Sequence, residues 1–233
     1  MAKWSDTEQD NLPHRVPHAS MVSFSRPAAR NDMIKAVVFD FGGVLFDWSP
    51  EYLYQTLIPD EAERRWFLQE VCNPAWNLQQ DAGRSIAEAE AEKIAAFPQH
   101  ETLIKAFYGQ WPVMLKGALT DGVALLESLH AADIPLYGLT NWSAETYPYA
   151  EQHYPFLQRF RHVAVSGRLK LAKPDPAIYQ HLLQHIGVAA EACVFIDDVL
   201  HNVEGARALG WHAIHHRSGP DTAAALRALG LSF

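Results

Sequence analysis

The chain has 233 residues, 48% hydrophobic and 20% charged, which suits a globular protein with one sizeable core and room for an insertion. A formal net charge of -8 argues against nucleic acid as a partner, because such binding starts from a basic stripe, but it leaves room for a small anion bound locally. Cys72 and Cys193 lie far apart without zinc-type spacing, which speaks against a disulfide framework, and no apolar run approaches the roughly 20 residues of a membrane span or secretory leader, so a cytoplasmic protein without membrane contact is expected.

Residues 1–32 are polar, carry Pro13, Pro17 and Pro27, and show neither helix nor strand period, so they are expected to form a disordered extension. Met33 stands directly before the first apolar run, which makes it an alternative start of the chain. Short, nearly continuous apolar runs then follow at 34–39, 135–139, 162–165, 193–196 and, more weakly, 212–215, as strands buried on both faces require. Helical patterns separate them at 121–131, 144–153, 176–186, 202–209 and 222–229, with Asp175 placed to cap and Pro176 at the first helical position. Strands alternating with helices predict a doubly wound parallel α/β sheet of Rossmann-like form. The stretch 49–115 breaks the rhythm, reading as helices at 61–71, 86–96 and 101–111 with no strand between them. An all-helical cap over 49–115 is expected, inserted in a core made of 33–48 and 116–233 and closing over the loops at one end of the sheet.

In open parallel sheets ligands bind beyond the carboxyl ends of the strands. The apolar runs stop there at Asp40-Phe41-Gly42-Gly43, at Thr140-Asn141 and at Asp197-Asp198, while Lys173 precedes the helix that begins at Pro176. Three carboxylates at one point repel unless a cation joins them, and Mg²⁺ fits, since it accepts one or two carboxylates and keeps places for waters and phosphate oxygens. Asp40 is the best placed nucleophile for a covalent two-step displacement. Thr140 offers a hydroxyl and Asn141 a backbone N–H to a phosphate oxygen, Lys173 a point charge, and Gly42 and Gly43 a sharp turn close to the ligand.

With these residues in order, the chain resembles the haloacid dehalogenase-like (HAD) hydrolase superfamily from about residue 34 to 229. VVFDFGGVL at 37–45 is similar to its first motif, LTNWS at 139–143 to the second, Lys173 in AKPDP to the third, and VFIDDVLHN at 194–202 to the fourth. The resemblance implies a Mg²⁺-dependent phosphatase acting on a small phosphate monoester, such as a sugar phosphate, through an aspartyl-phosphate. It implies that Asp40, the Gly42 carbonyl, Asp197 and Asp198 hold the metal, with Thr140, Asn141, Gly43 and Lys173 around the phosphate.

One position departs from the pattern. Most phosphatases of the superfamily carry a second Asp two residues after the nucleophile as acid and base, and here that residue is Gly42. The lost step is worth roughly 10²–10⁴-fold in rate. Either the leaving group needs little protonation, as with an anomeric sugar phosphate or an acyl phosphate, or Asp47 or a cap residue supplies the proton. Trp48, Trp76, Asn77, Gln80 and Arg84 are the candidate substrate contacts near or in the cap. Two alternatives stay open. A 2-haloacid dehalogenase would use the same Asp without metal, although that resemblance implies an aromatic residue in place of Gly42 and Ser-Ser-Asn in place of 197–199. A catalytically weak protein binding a phosphorylated ligand would tolerate the missing acid.

Overall fold

In the computed structural model, which describes residues 33–233, the apolar runs become a parallel sheet. The extension expected over residues 1–32 lies outside the described residues. The strands are β1 (Ala36–Phe39), β2 (Phe46–Trp48), β3 (Leu115–Ala118), β4 (Leu136–Thr140), β5 (His162–Val165), β6 (Cys193–Asp197) and β7 (His212–His215). Five of them lie in the order β5-β4-β1-β6-β7, each neighbouring pair parallel. Val37 and Phe39 pack into one apolar cluster with Leu136, Val194 and Ile196, while Ala36 and Val38 pack into another with Leu139 and Phe195. Both sides of the strand are thus covered, which is why its sequence is continuously apolar rather than alternating. The doubly wound, Rossmann-like α/β class expected from the sequence is the one observed.

The helices are α1 (Glu51–Leu57), α2 (Glu61–Trp66), α3 (Pro74–Asp81), α4 (Ile86–Ala96), α5 (Glu101–Gly109), α6 (Trp111–Met114), α7 (Thr120–Ala131), α8 (Tyr147–His153), α9 (Ser166–Leu169), α10 (Pro176–Ile186), α11 (Leu200–Ala208) and α12 (Gly219–Ala228). Their starts follow local chemistry. Asn73, Ser85 and Asp175 each accept a backbone N–H from the first turn of α3, α4 and α10. Helix α8 starts three residues later than its apolar pattern suggests, with Pro148 in its first turn, where a missing N–H costs nothing.

Helices α1 to α6 fill the segment between β2 and β3, which pair antiparallel and bring Phe46 opposite Ala118 and Trp48 opposite Leu115. This ribbon closes the helical segment at its base. It was not expected, because strands of three and four residues are too short to show a period. No helix of the described residues is long and apolar enough to cross a membrane.

Candidate active site

Register brings the acidic residues together. Phe39 pairs with Ile196, so the residues that follow them, Asp40 and Asp197, stand side by side, and the Asp40 amide donates to the Ile196 carbonyl at 2.8 Å. On the other side of β1, buried Thr140 ends β4. The Lys173 ammonium lies 2.7 Å from Asp40 Oδ1 and 2.7 Å from Asp197 Oδ2, all three side chains buried. The Asn141 amide holds Lys173 in place by accepting its backbone N–H at 2.8 Å and donating to its carbonyl at 3.0 Å. Asp197 also accepts from the Val199 amide at 2.7 Å and from Asn202 Nδ2 at 3.1 Å. Asp198 is exposed, and a carboxylate oxygen from each of Asp40, Asp197 and Asp198 lies within 4.8 Å of the others.

Burial pushes Asp40 well above the ordinary carboxylate range, Asp197 adds to the rise, and Lys173 opposes it. Partial desolvation at the cluster also raises Asp198, again with help from Asp197. For Lys173 burial favours the neutral amine, but Asp40 and Asp197 together outweigh it and keep the side chain a cation. The cluster therefore has an excess of negative charge in a dry place, which is the donor set a hard divalent cation takes. Replacing Lys173 by Met should leave two carboxylates buried without a counter-charge and cost about 3–5 kcal/mol of stability. Urea unfolding measures it, and a loss below about 1 kcal/mol would mean that the pair is not buried as ions.

The two glycines after Asp40 have different reasons to be there. Gly43 has φ of 67°, and a Cβ on it would come within 2.2 Å of Asp198 Oδ2. Gly43→Ala is therefore expected to fold, at roughly 1 kcal/mol of backbone cost, while pushing the Asp198 carboxylate out of the cluster. The check is a raised Mg²⁺ requirement with a melting temperature lowered by only about 2–4 °C. Around Gly42 a Cβ would meet nothing within 4 Å, and its φ is not positive. A backbone conformation and a close neighbour that call for glycine are thus found at Gly43 and not at Gly42.

Gly42 forms part of a solvent-open cleft between the helical segment and the sheet end. Phe46, Trp48, Tyr108, Trp111 and Trp142 supply its aromatic wall, and Asn77, Asp81, Asn141 and Thr146 its polar groups. Asp81, the last residue of α3, is partly buried, and desolvation pushes its carboxyl up to about 7. Its position is set from several sides. Asn77 Nδ2 donates to Asp81 Oδ2 at 2.9 Å, the Tyr108 hydroxyl donates to Asn77, and the Ser166 hydroxyl donates to the Asp81 carbonyl. Ser166 in turn accepts the Trp142 amide at 2.8 Å, so the second motif and the end of α3 are tied to one side chain.

Of the contacts expected near or in the cap, Trp48 and Asn77 border the cleft, whereas Trp76 and Gln80 are buried and Arg84 pairs with Gln79 and Glu92. Asp47 accepts the Tyr52 hydroxyl at 2.7 Å and is not among the cleft residues. Asp81, Tyr108, Trp111, Trp142 and Thr146 were not anticipated. Asp81 does carry a local signal: an acid in the last turn of a helix opposes the helix dipole, a conflict that often marks a functional position.

A strand-end carboxylate locked to a buried lysine, beside an acidic pair at the switch point of a parallel sheet, defines a class of α/β hydrolases. The chain belongs to the haloacid dehalogenase-like hydrolase family, which matches residues 34–210. It is 28% identical over 202 residues to a sesquiterpene phosphatase of Aspergillus oryzae, covering 84% of this chain and 96% of the relative. It is 29% identical over 197 residues to a phosphatase of Mycobacterium tuberculosis, covering 80% and 89%. A HAD family enzyme of Bacteroides thetaiotaomicron shares the fold with a TM-score of 0.65 and 23% identity over 84% of this chain and 99% of that one. That enzyme has also been crystallised as a magnesium complex.

Proposed function

We propose that this hydrolase is a Mg²⁺-assisted phosphatase that transfers the phosphoryl group of a small monoester to Asp40 and then to water. The observation that carries the proposal is the cluster of Asp40, Lys173 and Asp197 with Asp198 beside it. Halide displacement without metal has no use for the acids at 197 and 198, and a pure binder has no use for a nucleophile held by a lysine. The phosphatase relatives support the same conclusion.

Asp40 Oδ1 is engaged by Lys173 and by the Phe41 amide at 2.6 Å, which leaves Oδ2 for attack on phosphorus. Asp40, the Gly42 carbonyl and Asp198 would hold Mg²⁺, with Asp197 next to them. When bound, the ion neutralises charge on the phosphate and the carboxylates. Thr140, the Asn141 amide and Gly43 are placed to bind phosphate oxygens at the ends of β4 and β1, and Lys173 balances the charge of Asp40.

The missing acid is supplied from the helical segment, which acts as a cap. Asp81 borders the same cleft as Gly42 and titrates near neutrality, where one group can serve as acid and then as base. As the P–O bond to the leaving group breaks, Asp81 gives its proton to the departing alkoxide. Its carboxylate then takes a proton from the water that attacks the aspartyl-phosphate and frees Asp40. With this acid present, alcohols of ordinary pKa can leave, and substrates are not confined to anomeric or acyl phosphates. The aromatic wall favours an organic part with a broad apolar face, which agrees with a sesquiterpene phosphatase among the relatives.

The test is phosphate release from a prenyl monophosphate, a sugar phosphate and an aryl phosphate, with Mg²⁺ and with chelator. Release that requires Mg²⁺ and is fastest for the prenyl ester is expected. Halide release from a 2-haloacid in the presence of chelator would establish the dehalogenase instead.

A further inference from the structure

A second cluster of potential ligands lies away from the cleft, where His162, the first residue of β5, meets His181 and His185 of α10. The geometry points to a zinc-class divalent site formed by these three imidazoles, which ties the edge strand β5 to α10. One ligand nitrogen from each ring lies within 4.8 Å of the other two. Side-chain rotation can close that spacing to the roughly 3.4 Å that tetrahedral zinc–nitrogen bonds of about 2.1 Å require.

Several independent features favour a ligand here. His181 and His185 are four residues apart on one helix, so they project from the same face. His185 Nδ1 lies 2.9 Å from the His181 carbonyl. Because a carbonyl only accepts, Nδ1 of that ring carries the proton and Nε2 is left with its lone pair outward, as in metal-bound histidines oriented by a second partner. His162 Nε2 is buried and has no hydrogen-bond partner among the described residues, an arrangement that costs free energy unless something occupies it. The His162 and His185 rings stack at 4.3 Å with an interplanar angle of 4°, so binding one ion requires them to unstack and turn their in-plane lone pairs toward a common point.

Three imidazole nitrogens without a carboxylate suit zinc or a similar borderline ion and not Mg²⁺, and they leave a fourth position for water. The other late histidines do not compete. His216 is taken by the Thr222 hydroxyl and His215 by the Asp198 carbonyl. The site is distinct from the reaction centre. His162 pairs with Tyr137, three positions before Thr140, which places it about 10 Å back along the sheet from the carboxyl edge.

Zinc titration of the tag-free, chelator-treated chain, followed by calorimetry in excess Mg²⁺, tests the site. One zinc equivalent is expected to bind and to raise the melting temperature by about 5 °C at a hundredfold excess over Kd. His181→Ala/His185→Ala should abolish it, and His162→Gln should weaken it by more than the roughly 10–100-fold that loss of an outer-shell partner costs. Asp198→Asn and His212→Ala should bind zinc as the parent does, and circular dichroism confirms that each variant is folded. No zinc binding by the parent, binding displaced by Mg²⁺, or equal binding by the folded double variant would overturn the proposal.

Discussion

Asp40→Asn is expected to lower kcat by at least about 10⁴-fold, because the amide cannot accept the phosphoryl group and no neighbouring group takes over a nucleophile's role. The change keeps the shape of the side chain. Since burial holds Asp40 well above its ordinary pKa, a neutral isostere relieves part of a desolvation cost, and Asp197 remains as the partner of Lys173. The variant should therefore unfold no earlier than the parent. Acid quench during turnover, followed by mass spectrometry, should find phosphate on the peptide containing Asp40 in the parent and none in the variant. Turnover above about one hundredth of the parent rate would remove Asp40 from the nucleophile's role.

Asp81→Asn is expected to reduce kcat by about 10²–10³-fold on an alkyl phosphate and far less on an aryl phosphate with an acidic leaving group. Rates of the parent should vary little with leaving-group pKa, whereas those of the variant should fall steeply as that pKa rises. The open space around Gly42 supplies a second arm. Gly42→Asp in the Asp81→Asn background puts a carboxyl at the position where the family usually carries one, and recovery of alkyl phosphate turnover is expected. If the single variant is as insensitive to leaving group as the parent, Asp81 is a structural residue and the proton comes from elsewhere.

The same substitution has a sign in stability. Asp81 titrates near 7 when folded and near 3.8 when unfolded, so the folded form binds the extra proton between these values. Stability attributable to the group is complete below the lower value and is lost as pH rises through the upper one. Asp81→Asn should accordingly raise the melting temperature at pH 8, with the gain disappearing toward pH 4.

Much of this architecture is written in local pattern. Continuous apolar runs ending in acids marked β1 and β6 and the edge at which Asp40 and Asp197 stand, because a strand buried on both faces leaves polar side chains only where it stops. The cap of α10 was legible in Asp175-Pro176 for the same kind of reason, a hydrogen bond made within two residues. Lys173 was singled out by its place in the motif order, and its twin contacts were out of reach, since they bridge to residues 133 and 24 positions away.

What was not legible depends on contacts without sequence periodicity. The order β5-β4-β1-β6-β7, the pairing of β2 with β3 and the aromatic wall around Gly42 all join segments distant in the chain. Asp81 shows the difference most plainly. As a residue it is an ordinary acid at a helix end, and only its enclosure beside Asn77, with Ser166 holding its carbonyl, gives it a carboxyl that titrates near neutrality. The positions of Asp40 and its acidic neighbours follow from where the strands end, a one-dimensional property. Asp81, Asn77 and Tyr108, which line the cleft, come from the helical segment, and desolvation there depends on three-dimensional packing.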